Sequence, residues 1–291
     1  MDTPRHDAHL VTPAMLREGL AVYDVGRGEP LLLMPYPHGW TRVSIAEDTL
    51  LPLLAGLGRR VISFDPPGAY RSTRPARVDM PEMLACAGEA LEARGHHGPV
   101  DVVGHSMGGL CALAFALERP ERVRRLVLVD TLAGGPSLRR YRAIPWYWSP
   151  TSLDFWRCIW WGAQLQRGRG NLVTHKRHAH LVARASYVDP ARVPPLRIEP
   201  GDHQRPAPLR DRWPRVARRL DYSRCLDRIQ APTLVCVGRF DPQTPVGCSQ
   251  ELARGIPDAR LIIFEHSSHR PFEEEPEHFA AAVATFLHPG I

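Results

Sequence analysis

Lysine is almost absent from this sequence of 291 residues, because Lys176 is the single lysine among 37 basic residues. Long apolar runs are missing as well, and none approaches the roughly 20 residues that span a bilayer. The first residues, Met1 to Asp7, are polar and lack the apolar core of a secretory signal. These absences predict a cytoplasmic protein that has no membrane partner.

Disulfide and metal-ligand patterns are also missing. The six cysteines show no Cys-x-x-Cys spacing and most lie in apolar runs, which is typical of buried free thiols in a reducing compartment. His175, His178 and His180 stand close together, but in an arginine-rich stretch this pattern indicates a solvated helix face more than a zinc site. We therefore expect no metal and no other cofactor.

The net charge of +6 is unevenly distributed. Between Ser137 and Gln230 there are 19 Lys/Arg against 7 Asp/Glu, whereas the rest of the chain is acidic. A basic segment of this kind suits an acidic ligand or a solvated surface, and the bias toward arginine favours the surface. Because the basic residues are scattered and accompany no aromatic-basic recognition motif, binding to nucleic acid is not expected.

Short apolar runs alternate with helical segments and predict an α/β fold. Pro30–Met34 is apolar along its length, as in a parallel strand buried on both faces, and Arg60–Asp65 is predicted to be another buried strand. Parallel strands need crossovers, so the pattern indicates a mostly parallel central sheet with helices on both faces. The alternation stops and later resumes. We predict a core of residues 1–133 and 231–291, with an inserted helical segment of residues 134–230, here called the insert.

The sequence Gly-His-Ser-Met-Gly occupies Gly104–Gly108, directly after the apolar run Val100–Val103. A helix-forming run, Leu110–Leu117, follows it. A strand that turns sharply into a helix exposes a serine hydroxyl at the edge of a sheet, and the flanking glycines permit the tight turn. The pattern predicts that Ser106 is a nucleophile and that the backbone N–H of Met107 points at an oxyanion.

A serine hydroxyl attacks only when a base removes its proton. His269 is the predicted base because it lies just beyond the last predicted strand, and His266 is its rival. Asp241, after the preceding strand, is the predicted acid that orients the imidazole, and Asp130 is an alternative acid. All four lie at or just past the carboxyl ends of predicted strands, where open α/β sheets place their ligands.

With these motifs the chain resembles the α/β-hydrolase fold superfamily. The patterns Gly-His-Ser-Met-Gly-Gly, Gly-Arg-x-Asp-Pro-x-Thr-Pro and His-x-Pro-Phe-x-Glu-Glu-Pro look most like those of proline iminopeptidases and related esterases and C–C hydrolases. The resemblance covers nearly the whole chain outside the insert. It implies a Ser-Asp-His order for the triad and a cap domain, or lid, at the position of the insert.

The second donor of the oxyanion hole is ambiguous. In the family, His-Gly-x directly follows the third strand, and the residue after the glycine donates its N–H. Here the sequence of His38–Trp40 fits the His-Gly-x pattern but lies several residues past Met34. Alignment by strand length places Pro35–Pro37 there instead, and proline has no N–H. The candidate donors beside Met107 are Tyr36, His38 and Trp40.

Six of the seven tryptophans fall in the insert. Trp146, Trp156 and Trp160 are candidate walls of an apolar substrate pocket, although they could equally form the core of the insert. The insert has few carboxylates, which favours a hydrophobic or anionic small molecule over a cationic peptide N-terminus. Near the end of the chain, Glu273–Glu275 is expected to be a solvated turn.

The sequence thus predicts a cofactor-free serine hydrolase that cleaves an ester, amide or related carbonyl bond of a small molecule. The alternative activity is that of a proline iminopeptidase-type aminopeptidase. Two further alternatives belong to other classes: a biosynthetic enzyme that carries out cyclisation, elimination or acyl transfer, and a ligand-binding protein with a vestigial triad. The oligomeric state is not predicted.

Overall fold

The structure is a computed structural model that describes residues 12–37, 48–141 and 150–288. Eight strands in these ranges form one sheet with the order β1-β2-β4-β3-β5-β6-β7-β8. They are β1 (Ala14–Met15), β2 (Ala21–Val25), β3 (Glu29–Met34), β4 (Arg59–Phe64), β5 (Val100–His105), β6 (Val123–Val129), β7 (Thr233–Gly238) and β8 (Ala259–Phe264). Strand β2 pairs antiparallel with both β1 and β4, and all the other pairs, from β4 through to β8, are parallel. The predicted mostly parallel sheet is confirmed.

Ten α-helices of the described residues connect or flank these strands. They are α1 (Leu50–Gly56), α2 (Met80–Glu92), α3 (Ser106–Glu118), α4 (Gly135–Arg140), α5 (Leu153–Gln166), α6 (Leu172–Arg184), α7 (Trp213–Ala217), α8 (Val246–Gly255), α9 (Pro271–Glu274) and α10 (Pro276–Leu287). Helices α4 to α7 lie between β6 and β7, within the insert. None of the helices described is both long and apolar enough to cross a membrane.

The sheet separates two hydrophobic cores. On β3, Leu32 and Met34 belong to the core that also contains residues of α2 and α3, whereas Leu31 and Leu33 face the core with α1 and α10. Successive side chains of a strand point to opposite faces, so a strand covered on both sides is apolar at every position. This burial explains why residues 31–34 of β3 form a continuous apolar run.

Strand order determines where the chemistry is placed. Strands β5, β6, β7 and β8 are neighbours and parallel, with His105 opposite Val129, and Val129 opposite Cys236. Their carboxyl ends therefore meet at one edge of the sheet. The loops that follow β5, β7 and β8 carry Ser106, Asp241 and His269, so the topology brings three distant segments of the chain to the same edge.

Candidate active site

Ser106 occupies a strained turn between β5 and α3. Its φ is 53°, in the left-handed region that non-glycine residues rarely adopt. The close approach of neighbouring backbone demands glycine on both sides: a Cβ on Gly104 would overlap the carbonyl of Gly108, and a Cβ on Gly108 would lie 2.6 Å from the carbonyl oxygen of Met34. The hydroxyl of Thr131 donates to the Ser106 carbonyl at 2.7 Å and ties the turn to the end of β6.

Asp241 and His269 form a buried pair. Nδ1 of His269 lies 2.8 Å from Oδ2 of Asp241, and the two residues are 4% and 3% exposed, respectively. The rival His266 is exposed to solvent. Of the two histidines proposed from the sequence, His269 is therefore the one that binds Asp241.

Four donors hold the carboxylate of Asp241. Its Oδ1 accepts the backbone N–H groups of Gln243 at 2.8 Å and Thr244 at 3.1 Å. Its Oδ2 accepts the Thr244 hydroxyl at 2.6 Å in addition to the His269 ring. Burial by itself raises the pKa of Asp241, but His269 and Thr244 outweigh burial, and the pKa lies below its usual value. Asp241 is therefore ionised at neutral pH.

Asp130 is a second buried carboxyl group beside this pair. It follows β6 with φ 43°, is fully buried, and accepts the backbone N–H of Gly238 at 2.8 Å on Oδ1. Burial, followed by the charge of Asp241, raises the pKa of Asp130 well above its usual value. In the described part of the chain, Asp130, Asp241 and His269 are the one group whose atoms are close enough to share a metal ion. Asp241 and His269 already bind each other, so we assign no metal to them.

The loop that carries His269 is held by hydrogen bonds from both directions. His105 Nε2 donates to the His269 carbonyl at 2.7 Å, and the His269 N–H donates to the Ser186 carbonyl of the insert at 3.1 Å. Glu274 accepts the Ser268 N–H at 2.7 Å. Glu275 accepts the His266 N–H at 3.0 Å.

The prediction that Glu273–Glu275 is a solvated turn is therefore wrong. Glu273 binds Arg270, Thr49 and Tyr187, while the other two glutamates bind backbone of the His269 loop. Three consecutive glutamates look the same in the sequence whether they are solvated or hydrogen-bonded to other parts of the fold. The signal that could have found these residues is their position directly after the predicted base.

The candidates for the oxyanion hole are placed only in part. Met107 is the second residue of α3 and lines the cavity around Ser106; its N–H is among the first of that helix, which have no intrahelical acceptor. Tyr36 also lines the cavity, and its hydroxyl lies 2.7 Å from Nδ1 of His105. His38 and Trp40 lie outside the described residues.

A cavity of about 400 Å³ opens over Ser106. Ser106 and His269 both line it, and most of its wall is apolar, including Leu132, Leu138 and Val182. Trp156 and Trp160 are 57% and 62% exposed and do not line this cavity, contrary to the expectation that they wall a pocket. Trp146 lies outside the described residues.

A second cavity of about 710 Å³ lies between the insert and the loop after β7, and it shares lining residues Val182, Arg218 and Gln243 with the first. Four arginines line it, and no carboxylate in residues 12–37, 48–141 and 150–288 forms an ion pair with any of them. They are Arg167, Arg215, Arg218 and Arg219. The second cavity is therefore strongly basic and adjoins the cavity around Ser106.

The histidines of α6 are not the solvated face that the sequence indicated. His175 and His178 are buried, and His175 Nδ1 lies 2.9 Å from Oδ2 of Asp211. Burial lowers the pKa of His178, which lines the second cavity, to about 4. His180 is half-buried, and these three side chains form no metal-ligand cluster in the described structure.

The sheet order, the strand–serine–helix turn and the insert after β6 together define the class of α/β-hydrolase folds. Comparisons with known proteins agree. The model of the α/β-hydrolase fold family matches residues 36–276. A pimeloyl-[acyl-carrier protein] methyl ester esterase of Nitrosomonas europaea is 30% identical over 259 residues, which cover 88% of this chain and 94% of the esterase.

Two further relatives show the same class. A 2-hydroxymuconate semialdehyde hydrolase of Pseudomonas putida is 30% identical over 285 residues, which cover 95% of each chain. The structure of an α/β fold family hydrolase from Bacillus anthracis str. Sterne is similar with a TM-score of 0.68 at 20% identity, over 94% of this chain and 96% of that one. The chain therefore belongs to the α/β-hydrolase fold family, and it is a hydrolase.

Proposed function

We propose that this protein is a cofactor-free serine hydrolase that cleaves an ester, amide or related carbonyl bond of a small hydrophobic or anionic molecule. Ser106 is the nucleophile, His269 the base and Asp241 the acid. One observation carries the proposal: the strained turn presents Ser106 to the same cavity that His269 lines, and the ring of His269 is bound to the buried Asp241.

The hydrogen bonds of Asp241 determine the proton positions in this mechanism. An ionised carboxylate only accepts, so Nδ1 of His269 carries the proton that faces Asp241, and Nε2 is left as the base. His269 takes the hydroxyl proton of Ser106 as its oxygen attacks the carbonyl carbon. His269 then gives this proton to the leaving group. Water hydrolyses the acyl-enzyme by the same sequence of proton transfers.

The Met107 N–H and a second N–H from the Tyr36–Trp40 loop are the proposed donors to the oxyanion. The Tyr36 hydroxyl is engaged elsewhere, since His105 Nε2 donates to a carbonyl and its Nδ1 must accept from Tyr36. If Tyr36 takes part, it does so through its backbone N–H. Removal of one such donor typically lowers turnover by about 10²–10³-fold.

The two cavities support a hydrophobic or anionic substrate. The wall around Ser106 is mainly apolar, and the adjoining cavity presents Arg218 and three other arginines without carboxylate partners among the described residues. The acidic residues at the cavity wall, Asp48 and Glu273, both bind Arg270, at 3.1 and 2.7 Å. They are therefore already neutralised in part, which counts against capture of the cationic amine of a peptide.

A substrate panel tests the proposal. We expect the parent protein to hydrolyse aryl esters, both a neutral acyl ester and one that ends in a carboxylate, and to leave a prolyl anilide intact. Ser106→Ala should abolish turnover, whereas Ser223→Ala, in a loop away from both cavities, should not change it. Cleavage of the anilide in place of the esters would establish the aminopeptidase instead.

A fluorophosphonate probe separates the remaining classes, because it labels only an activated serine. We expect labelling of the parent and of Ser223→Ala but not of Ser106→Ala. Absence of labelling in the parent would refute a nucleophilic role and favour a ligand-binding protein. Labelling with transfer of the acyl group to an added alcohol in preference to water would favour an acyltransferase.

A further inference from the structure

Asp130 joins the turn of the nucleophile to the loop of the acid. Strand β6 lies between β5 and β7, and Thr131, at its end, binds the Ser106 carbonyl. The Asp130 N–H donates to the Cys236 carbonyl at 2.8 Å, and Asp130 Oδ1 accepts the Gly238 N–H at 2.8 Å. These bonds fix the carboxyl group of Asp130 at the start of the loop that carries Asp241.

The two carboxyl groups are hydrogen-bonded very unequally. Asp241 accepts four hydrogen bonds, whereas Asp130 accepts one, on Oδ1. Oδ2 of Asp130 is buried and has no donor in the described part of the chain. A ligand atom of Asp130, one of Asp241 and one of His269 all lie within 4.8 Å of one another. A buried charge on Asp130 would thus lie near another carboxylate, and its Oδ2 would have no compensating donor among the described residues, which is strongly unfavourable.

We propose that the two carboxyl groups of Asp130 and Asp241 hold one proton between them and that this proton stays on Oδ2 of Asp130. The resulting carboxylic acid donates a hydrogen bond to the Asp241 carboxylate. Asp130 is then a positioning residue for the triad, and this inference rests on the proposed function. The proton of Asp130 is not transferred in the cycle: Asp241 keeps the negative charge that stabilises the His269 imidazolium, and Asp130 remains neutral.

The surroundings of Asp130 agree with a neutral group. The titratable groups near it are Asp241, His269, Cys236 and Glu274. Burial, then the charge of Asp241, raises the pKa of Asp130, while the single Gly238 N–H opposes this rise. Cys236 is fully buried, and its own pKa is raised, so it adds no charge at neutral pH. Of the two aspartates, Asp241 therefore carries the negative charge, and the charge of Glu274 adds to the rise in the pKa of Asp130.

Infrared spectroscopy tests the protonation state without any need for turnover. In the Ser106→Ala background at pH 7, we expect a carbonyl band of a protonated carboxylic acid that disappears in Asp130→Asn. A matched control is Asp202→Asn, because Asp202 is also buried but Lys176 binds it at 2.6 Å and keeps it ionised; this variant should retain the band. Burial also raises the pKa of Glu274, so the readout is the loss of intensity. A band that keeps its full intensity in Asp130→Asn would overturn the proposal, whatever the outcome with fluorophosphonate.

Kinetics test the positioning role. Asparagine keeps an acceptor for Gly238 and places an N–H donor where the acid proton was, so Asp130→Asn should retain kcat within about threefold. Asp130→Ala removes the donor and should lower kcat by about 10- to 100-fold with little change in KM. If Asp130→Ala fails to fold, Asp130→Gly replaces it, because glycine also lacks a side-chain donor and adopts a φ of 43° without strain. Equal losses in Asp130→Asn and Asp130→Ala, with both variants folded, would show that a carboxylate is needed at 130 and would overturn the proposal.

The pH profile separates this role from simple structural support. At alkaline pH the parent should lose kcat as Asp130 ionises beside Asp241, whereas Asp130→Asn has no such group and should retain kcat to higher pH. If kcat decreased at the same alkaline pH in the parent and in Asp130→Asn, the inference would be contradicted. If instead Asp130→Asn were as inactive as Asp241→Asn, Asp130 would itself be an ionised member of the triad.

Discussion

His105, the residue before the proposed nucleophile, donates its ring N–H to the backbone carbonyl of the proposed base, His269, at 2.7 Å. A carbonyl oxygen only accepts, so the bond fixes the tautomer of His105 and requires its Nδ1 to accept from Tyr36. Burial raises the pKa of Tyr36 well above its usual value, so its hydroxyl stays protonated and can donate. One side chain thus links the segment after β3, the nucleophile turn and the proposed base.

This link predicts the effect of His105→Phe. The variant retains a ring against Phe272 but removes the bond to the His269 carbonyl, and we expect kcat to fall by about 10- to 100-fold. Tyr36→Phe is the matched control, because it removes the bond to Nδ1 but keeps the bond to His269, and it should have a smaller effect. Steady-state kinetics with an aryl ester measure both, and equal losses would show that the bond to His269 is not the important one.

Replacement of Asp241 should reduce activity severely, because the surrounding donors determine the orientation of an amide side chain at this position. In Asp241→Asn the N–H groups of Gln243 and Thr244 hold the amide oxygen at the Oδ1 position, so the NH₂ group faces His269. The imidazole then adopts the wrong tautomer, and kcat should fall by about 10⁴-fold. Thr244→Val removes one of the four donors and should lose about tenfold or less. A mild Asp241→Asn phenotype would argue against Asp241 as the acid.

The nucleophile turn should not tolerate a methyl group at Gly108. A Cβ there would lie 2.6 Å from the Met34 carbonyl oxygen, so Gly108→Ala must displace the end of β3 or the turn itself. We expect loss of most activity and a lower melting temperature. In Gly56→Ala, at the end of α1, the new Cβ meets no atom within 4 Å, and stability should be unchanged or slightly higher. Thermal unfolding and ester hydrolysis compare the two.

Charge reversal at Arg218 tests the preference for anions. Arg218 lines both cavities, and its Nη1 binds the side-chain oxygen of Gln166, a neutral partner. We expect Arg218→Glu to lower kcat/KM for a carboxylate-bearing ester by about tenfold or more, and to change a neutral ester of equal length much less. Arg260→Glu makes the same charge change on the exposed part of β8 and should leave the ratio of the two esters unaltered. An unchanged ratio in Arg218→Glu would exclude recognition of the anion at this arginine.

The Glu273–Arg270 pair predicts a specific pH dependence of stability. Burial raises the pKa of Glu273, but Arg270, Tyr187 and Thr49 together lower it below its usual value. Because the folded-state pKa is depressed, Glu273 stabilises the fold above its unfolded pKa of about 4.3, and this contribution disappears as the pH falls through the folded value.

Glu273→Gln should therefore lower the free energy of unfolding by about 1–3 kcal/mol at pH 7, and the difference should diminish below pH 4. Urea unfolding at the two pH values measures it. Glu265→Gln removes an exposed partner of Arg239 and should have little effect at either pH. A destabilisation by Glu273→Gln that does not depend on pH would contradict an ionic origin.

Local patterns in the sequence were sufficient for the sheet and for the proposed triad. Ser106, Asp241 and His269 each follow a strand that the pattern of apolar residues predicts, and parallel strands bring their carboxyl ends together. The same reasoning was wrong for Glu273–Glu275 and for His175 and His178. Hydrophilic residues near a turn or on a basic helix do not show, from the sequence alone, whether other segments of the fold bury them.

What the sequence determined by itself is therefore the order of strands and helices, the turn at Ser106 and the family to which the chain belongs. These features depend on neighbouring residues, on hydrophobic periodicity and on glycine at fixed spacing. Only the tertiary structure decided which carboxyl groups meet. Asp130 and Asp241 are 111 positions apart, and they become neighbours because β6 and β7 pair across the insert. Burial, and with it the charge state of each group, is a property of that assembled edge and of no single segment.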